Sequence, residues 1–396
     1  MNRRKFLKQS CFASSVFFVP NFVRAFEEVA SNTLGYKRLV IVQLSGGNDG
    51  LNTVIPFRND IYYRERPNLG ISKGEIIKLN DDVGLNPSLS PLKRLYDKGY
   101  VSIINNVGYP NPVRSHFRSL DIWQTARDAD TFSQSGWIGR YLDNYGKHHH
   151  DAIEIDDSLS LAMKGDTVNA IATQNAKAFY NLSKDPYFRN LYKYKNDVHL
   201  SEHNLGYLYK SMIAAESSAK YIYETSKTTS TLKEYPNHKF GKQLKTVAQF
   251  INSGLQTKVF YTSLNGFDTH ANQLNTQKRL LKQYANGMET FVKDLKSNNT
   301  FKDTLILTFS EFGRRVKQNA SSGTDHGTAN NVFIIGENLK KNGLYNQLAD
   351  LSNLDENGDL KFEIDFRTIY ATVLGKWLEV DDKRVLNKSF SKLEFI

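Results

Sequence analysis

Runs of β-branched and apolar residues that stop at a glycine, an acid or an asparagine constrain this chain more than any other feature. Six such runs, 38–44, 101–106, 152–155, 258–264, 304–309 and 332–335, are bounded by Gly, Asn and Asp. Parallel strands covered on both faces read this way. Helical patterns lie between them at 91–97, 242–252, 275–297 and 366–378. Strand alternating with helix predicts an α/β fold, a doubly wound three-layer α/β/α sandwich. The stretch 157–237 differs. It is rich in Lys, Tyr, Ser and Asn, mostly helical in pattern, and reads as a helical insertion or cap over the sheet edge. At 396 residues the chain is long enough to bury a sizeable core.

Four acid/histidine clusters follow predicted strands: Ser45-Gly46-Gly47-Asn48-Asp49-Gly50, Phe267-Asp268-Thr269-His270, Phe309-Ser310-Glu311-Phe312-Gly313-Arg314 and Thr324-Asp325-His326-Gly327. Carboxylates and imidazoles collected at one sheet edge are how an α/β protein builds a metal site. Asp49, Asp268, His270, Glu311, Asp325 and His326 are therefore the candidate ligands, with Asp325 either a ligand or an orienter of His326. Taken singly, the first three clusters also have structural readings: a tight turn at Gly46-Gly47, a capping Asp268, and a Glu311–Arg314 ion pair. Alternatively, Arg314 clamps an oxyanion in bidentate fashion. A fifth segment, Arg114-Ser115-His116-Phe117-Arg118, gathers a nucleophile, an imidazole and anion-binding groups. It makes Ser115, His116 and Arg114 candidates for catalysis, with a plain loop as the other reading. The tract His148–His150 reads as exposed.

The N-terminus indicates the compartment. Asn2-Arg3-Arg4-Lys5-Phe6-Leu7-Lys8 resembles a twin-arginine export signal, followed by an apolar stretch and a cleavage context at Val23-Arg24-Ala25. The apolar stretch is shorter than the roughly 20 residues a spanning helix needs; an uncleaved anchor is the alternative. Residues 1–25 are thus expected to be a signal peptide and 26–396 the domain, periplasmic or extracellular. Losing residues 1–25 removes five of the 52 basic residues and no acid, so the formal charge falls from +11 to +6. This dispersed excess, with no arginine-rich run, reads as a solvated surface and argues against a nucleic-acid partner. The one cysteine, Cys11, lies in the signal, so the expected mature protein has no disulfide, thiolate ligand or cysteine nucleophile.

These motifs, with Asp365-Phe366-Arg367-Thr368-Ile369-Tyr370-Ala371 and the terminal Val385-Leu386…Phe390, resemble over nearly the whole chain the exported bacterial proteins catalogued as domain of unknown function 1501. That family is grouped with the alkaline phosphatase and sulfatase superfamily. The resemblance implies an alkaline phosphatase-like sandwich and an exported hydrolase of phosphate or sulfate esters holding two divalent ions. Mixed carboxylate and imidazole ligands suit Zn²⁺ or Mn²⁺, and carboxylate-rich sites also admit Ca²⁺ or Mg²⁺. By the same resemblance, Asp49, Asp268, His270, Glu311 and His326 match the ligand positions, and Ser115 is the available nucleophile. Phe312 stands where a histidine is expected, so the second ion lacks a ligand unless His116 supplies it. The order Pro110-Asn111-Pro112-Val113-Arg114 and the lack of a mature cysteine argue against a formylglycine sulfatase. Expected partners are a phosphorylated or sulfated substrate such as a glycan, the twin-arginine translocase during export, and an exported protein. The reading from another class is a non-catalytic envelope scaffold or polymer-binding protein that keeps the fold.

Overall fold

The computed structural model describes residues 35–186, 204–227, 229, 231 and 233–396; the export segment expected at 1–25 lies outside them. Nine strands form one sheet: β1 (Arg38–Ser45), β2 (Val101–Gly108), β3 (Ala152–Glu154), β4 (Ile171–Ala172), β5 (Val259–Asn265), β6 (Thr304–Phe309), β7 (Asn330–Ile335), β8 (Gly343–Leu344) and β9 (Ile364–Asp365). Their order is β8-β2-β7-β6-β1-β5-β3-β4, with β9 also pairing β2. In the central register Ile41 lies beside Tyr261 on one side and Leu307 on the other. All pairings are parallel except those of β7, which runs antiparallel to both β2 and β6. The expectation that run 332–335 is a parallel strand is therefore corrected. Segment 310–329, which joins it to β6, carries no helix, whereas a parallel connection usually crosses over through one.

The strands alternate side chains between two apolar layers, as period-two geometry requires. Val40, Val42, Phe260, Ile306 and Phe333 face one layer, packed by α1 (Ser90–Tyr96), α4 (Lys239–Asn252) and α5 (Gln273–Ser297). Leu39, Ile41, Tyr261, Leu307 and Ile334 face the other, packed by α2 (His116–Thr125), α3 (Trp137–Tyr145) and α6 (Phe366–Thr372). The molecule is thus a three-layer α/β/α sandwich. Each fully buried aliphatic contributes roughly 1.5–3 kcal/mol. Within residues 157–237 the described elements are mainly the helices Ala176–Ser183 and Asn204–Ser226, together with β4. No helix among the described residues is long and apolar enough to cross a membrane.

This topology positions the site. Because β1, β2, β5 and β6 run the same way, the segments after Gly108, Ser45, Asn265 and Phe309 leave from one edge. Antiparallel β7 enters from that same edge, so the loop before Asn330 joins them there.

Candidate metal centre

Two glycines let the loops meet. Gly46 (φ +114°) lies so close to the backbone after β5 that a Cβ would sit 2.4 Å from the Asp268 nitrogen. Gly47 (φ +70°) leaves the space that the Phe312 ring fills, 2.3 Å from where its Cβ would be. Positive φ and absent side chains are both required here. Arg314, with no side-chain exposure, ties the assembly. It donates through Nε to the Gly47 carbonyl at 2.6 Å, through Nη1 to Thr324 at 2.9 Å, and through Nη2 to the carbonyls of Gly46 and Phe267. Nη2 also reaches Asp268 Oδ1 at 2.8 Å.

Three imidazoles converge on that same carboxylate oxygen. His116, opening α2, has its Nδ1 2.9 Å from Glu311 Oε1. His270 has its Nδ1 3.2 Å from Asp325 Oδ1. His326 has its Nδ1 2.7 Å from the carbonyl of Arg114. Each oxygen partner favours a proton on Nδ1 and turns Nε2 toward Asp268, as oxygen partners do for metal-ligating histidines. The three Nε2 atoms lie 3.3, 3.1 and 3.4 Å from Asp268 Oδ1, and those of His270 and His326 are 2.9 Å apart. His116 Nε2 is buried and makes no hydrogen bond despite its proximity to Asp268. An orphaned buried nitrogen beside two more imidazoles and a carboxylate fits a divalent cation. The ligand atoms of His116, Asp268 and His326 all lie within 4.8 Å of one another. Phe312 packs its ring 4.8 Å from that of His116 and 4.7 Å from that of His326, steadying both.

The electrostatics follow from these contacts. Partial burial alone would raise the Asp268 carboxyl, but Arg314, with His116 and His270, outweighs it and holds the group down at about 2. The bond to Glu311 raises His116, while burial lowers His326. Asp325 is held low, chiefly by the Asn319 amide and then by His270.

Sequence-predicted residues fall into two groups. His116, Asp268, His270, Asp325 and His326 come together, with buried Glu311 behind His116, its Oε1 also accepting from the Gly46 N–H at 2.8 Å. Asp49 is fully buried against Arg66 at 2.6 Å and accepts from the Leu51 amide. Arg314 is spent on carbonyls and Asp268, so the reading of it as an oxyanion clamp does not fit its surroundings. Arg114 pairs through Nε with buried Asp359 at 2.6 Å. Ser115 is exposed, precedes α2 and makes no side-chain capping bond. Sequence reasoning missed Arg66, whose partner lies 17 residues away with no motif between them. It also missed Phe117, 87 % exposed on the rim of a cleft of about 320 Å³ bounded by Gly46, His116, Asp268 and Glu311. An exposed phenylalanine one position after a candidate ligand gives no signal of its own in sequence.

A family model described as "Protein of unknown function (DUF1501)" matches residues 99–390. No curated protein sequence matches the chain. Among solved structures, it is similar to the C-terminal periplasmic domain of EcEptC from Escherichia coli in complex with Zn. That match has 11 % identity, 77 % of this chain and 74 % of that one covered, and a TM-score of 0.37. The lipoteichoic acid synthase LtaP from Listeria monocytogenes matches at 10 % identity, covering 93 % and 80 %, with a TM-score of 0.40. The PsFucS1 sulfatase from Pseudoalteromonas sp. matches at 12 % identity, covering 94 % and 73 %, also with a TM-score of 0.40.

Proposed function

We propose that this chain, which belongs to the DUF1501 family, is an exported metal-dependent hydrolase of phosphate or sulfate esters, acting on envelope or extracellular glycans. One observation carries the reading. Three imidazoles whose Nδ1 atoms face oxygen partners turn their Nε2 atoms toward a single carboxylate oxygen. In this reading His116, Asp268, His270 and His326 hold the cation, and Glu311, Asp325 and the Arg114 carbonyl orient the rings. A divalent ion there supplies Lewis acidity toward an ester oxygen. Glu311, sealed behind His116, keeps the ring's proton on Nδ1. Ser115 is the nucleophile: its exposed hydroxyl sits at the start of a ten-residue helix, where the backbone dipole favours a tetrahedral anion. Attack through Ser115 Oγ joins it to the phosphorus or sulfur and releases the alcohol; water then frees Ser115. Phe312 shields the His116 and His326 rings from water on one side.

The test removes metal with a chelator and follows hydrolysis of nitrophenyl phosphate and sulfate esters before and after divalent ions are restored. Loss and recovery of turnover are expected, as is a fall in kcat on the order of 10³-fold for Ser115→Ala. Turnover indifferent to chelation contradicts metal dependence. A loaded protein that turns over no such ester favours the envelope-scaffold reading, for which the sealing of Asp49 by Arg66 is the supporting observation.

A further inference from the structure

We infer that this centre is built for a single divalent ion, and that its charge matches a singly charged tetrahedral ester better than a doubly charged one. The class is sulfate monoesters and phosphate diesters, as against phosphate monoester dianions. The inference rests on the metal-dependent hydrolase reading above.

By the resemblance a second ion would draw on Asp49 or Glu311, since Asp325 Oδ1 is engaged by His270 and the Asn319 amide, each at 3.2 Å. Asp49 has no oxygen to offer: Oδ1 accepts from the Leu51 amide at 3.1 Å, and Oδ2 accepts from Arg66 Nη1 at 2.6 Å and from the Gln273 amide. Neither Asp49 nor Arg66 has any side-chain exposure. Arg66 is itself fixed, donating to Asn52 Oδ1, the Val316 carbonyl and the Arg315 carbonyl, each at 2.8 Å. Diverting Asp49 to an ion would strand a buried guanidinium without its carboxylate. Glu311 Oε1 is likewise taken by the Gly46 amide and His116. Beside Asp268, the position of a second cation is filled by Arg314 at 2.8 Å. What remains is three Nε2 atoms turned toward the half-exposed Asp268 carboxylate, whose Oδ1 also accepts from Arg314, a donor set that suits one ion.

The count of ions fixes the net charge of the ion-paired side chains around the centre. Asp268, Glu311, Asp325 and Asp359 bring four negative charges. Arg314, Arg114 and Arg315 bring three positive ones. Neutral imidazoles add nothing, so one divalent ion leaves a single net positive charge, and two would leave three. A monoanionic ester neutralises the one-ion site. A dianion leaves an uncompensated negative charge beside Asp268 and Asp325, which partial burial makes costly.

The test uses the full chain loaded with Co²⁺ after chelator treatment, and reads ion content and visible absorption instead of turnover. One ion per chain is expected, and Asp49→Asn is expected to keep it. Two ions per chain overturn the inference, as does an Asp49→Asn protein that folds but loses metal. If that variant does not fold, the wild-type count decides alone. No bound ion instead defeats the hydrolase reading itself. Titration at pH 8, where a phosphate monoester with a second pKa of about 6 is a dianion, then compares methyl sulfate, dimethyl phosphate and methyl phosphate. The monoanions are expected to perturb the Co²⁺ spectrum at concentrations at least about tenfold lower than methyl phosphate. The two monoanions separate the sulfate from the diester source. Tighter methyl phosphate, or a spectrum that none of the three changes, overturns the substrate class.

Discussion

His116 is held from both sides of its ring: Glu311 fixes Nδ1, Phe312 packs a face, and Nε2 is left without a hydrogen bond. Glu311→Gln keeps the shape but removes the charge that makes this imidazole a better donor. A loss of roughly 10–100-fold in Zn²⁺ affinity is expected, measurable by competition with a chromophoric chelator; unchanged affinity would leave Glu311 with only a packing role. Glu154, at the end of β3, carries a second residue-scale prediction. Burial pushes its carboxyl up from 4.5 to about 7. The folded state then holds a proton that the unfolded state has released between these values, so stability falls as pH rises from about 4.5 through 7. Glu154→Gln removes that dependence. Relative to wild type it should gain stability across this window, by something on the order of 3 kcal/mol at most. Urea midpoints at pH 5 and pH 8 check this; a gap that narrows with pH would contradict it.

At the scale of elements, the site is a product of strand direction. The loops after β1, β2, β5 and β6 leave one edge, and antiparallel β7 returns His326 to it. Gly46 sets how closely the first and third of these loops approach. Gly46→Ala places a Cβ 2.4 Å from the Asp268 nitrogen at a φ of +114°. It is expected to destabilise by roughly 2 kcal/mol or more and to weaken metal binding with it; unfolding and ion content falling independently would argue against that link. Much of this layer was legible in sequence, because buried strands are continuous apolar runs ended by turn residues. Run 304–309 coincides with β6, and the helical pattern 275–297 falls inside α5. The pattern at 366–378 is α6 followed by a π turn, Val373–Trp377. The antiparallel sense of β7 was not legible, since apolar periodicity carries no direction. Nor were the Glu311–His116 and Arg66–Asp49 pairs, which depend on how distant loops fold over the edge. The clusters announced a site; which of their atoms stay free was decided by partners such as Arg66 and the Arg114 carbonyl.

At the scale of the whole molecule, two apolar layers about one sheet leave a single edge where buried guanidiniums, carboxylates and imidazoles meet, beneath an open cleft of about 320 Å³. We propose that His116, Asp268, His270 and His326 make this edge a metal centre. Calorimetric titration of Zn²⁺ into the chelator-stripped full chain, beside His116→Ala and His326→Ala, tests it most directly. A saturable site is expected in the wild-type protein, weakened at least about 100-fold in each variant. A stripped wild-type protein that takes up no ion, or variants that bind as tightly as it does, would contradict it.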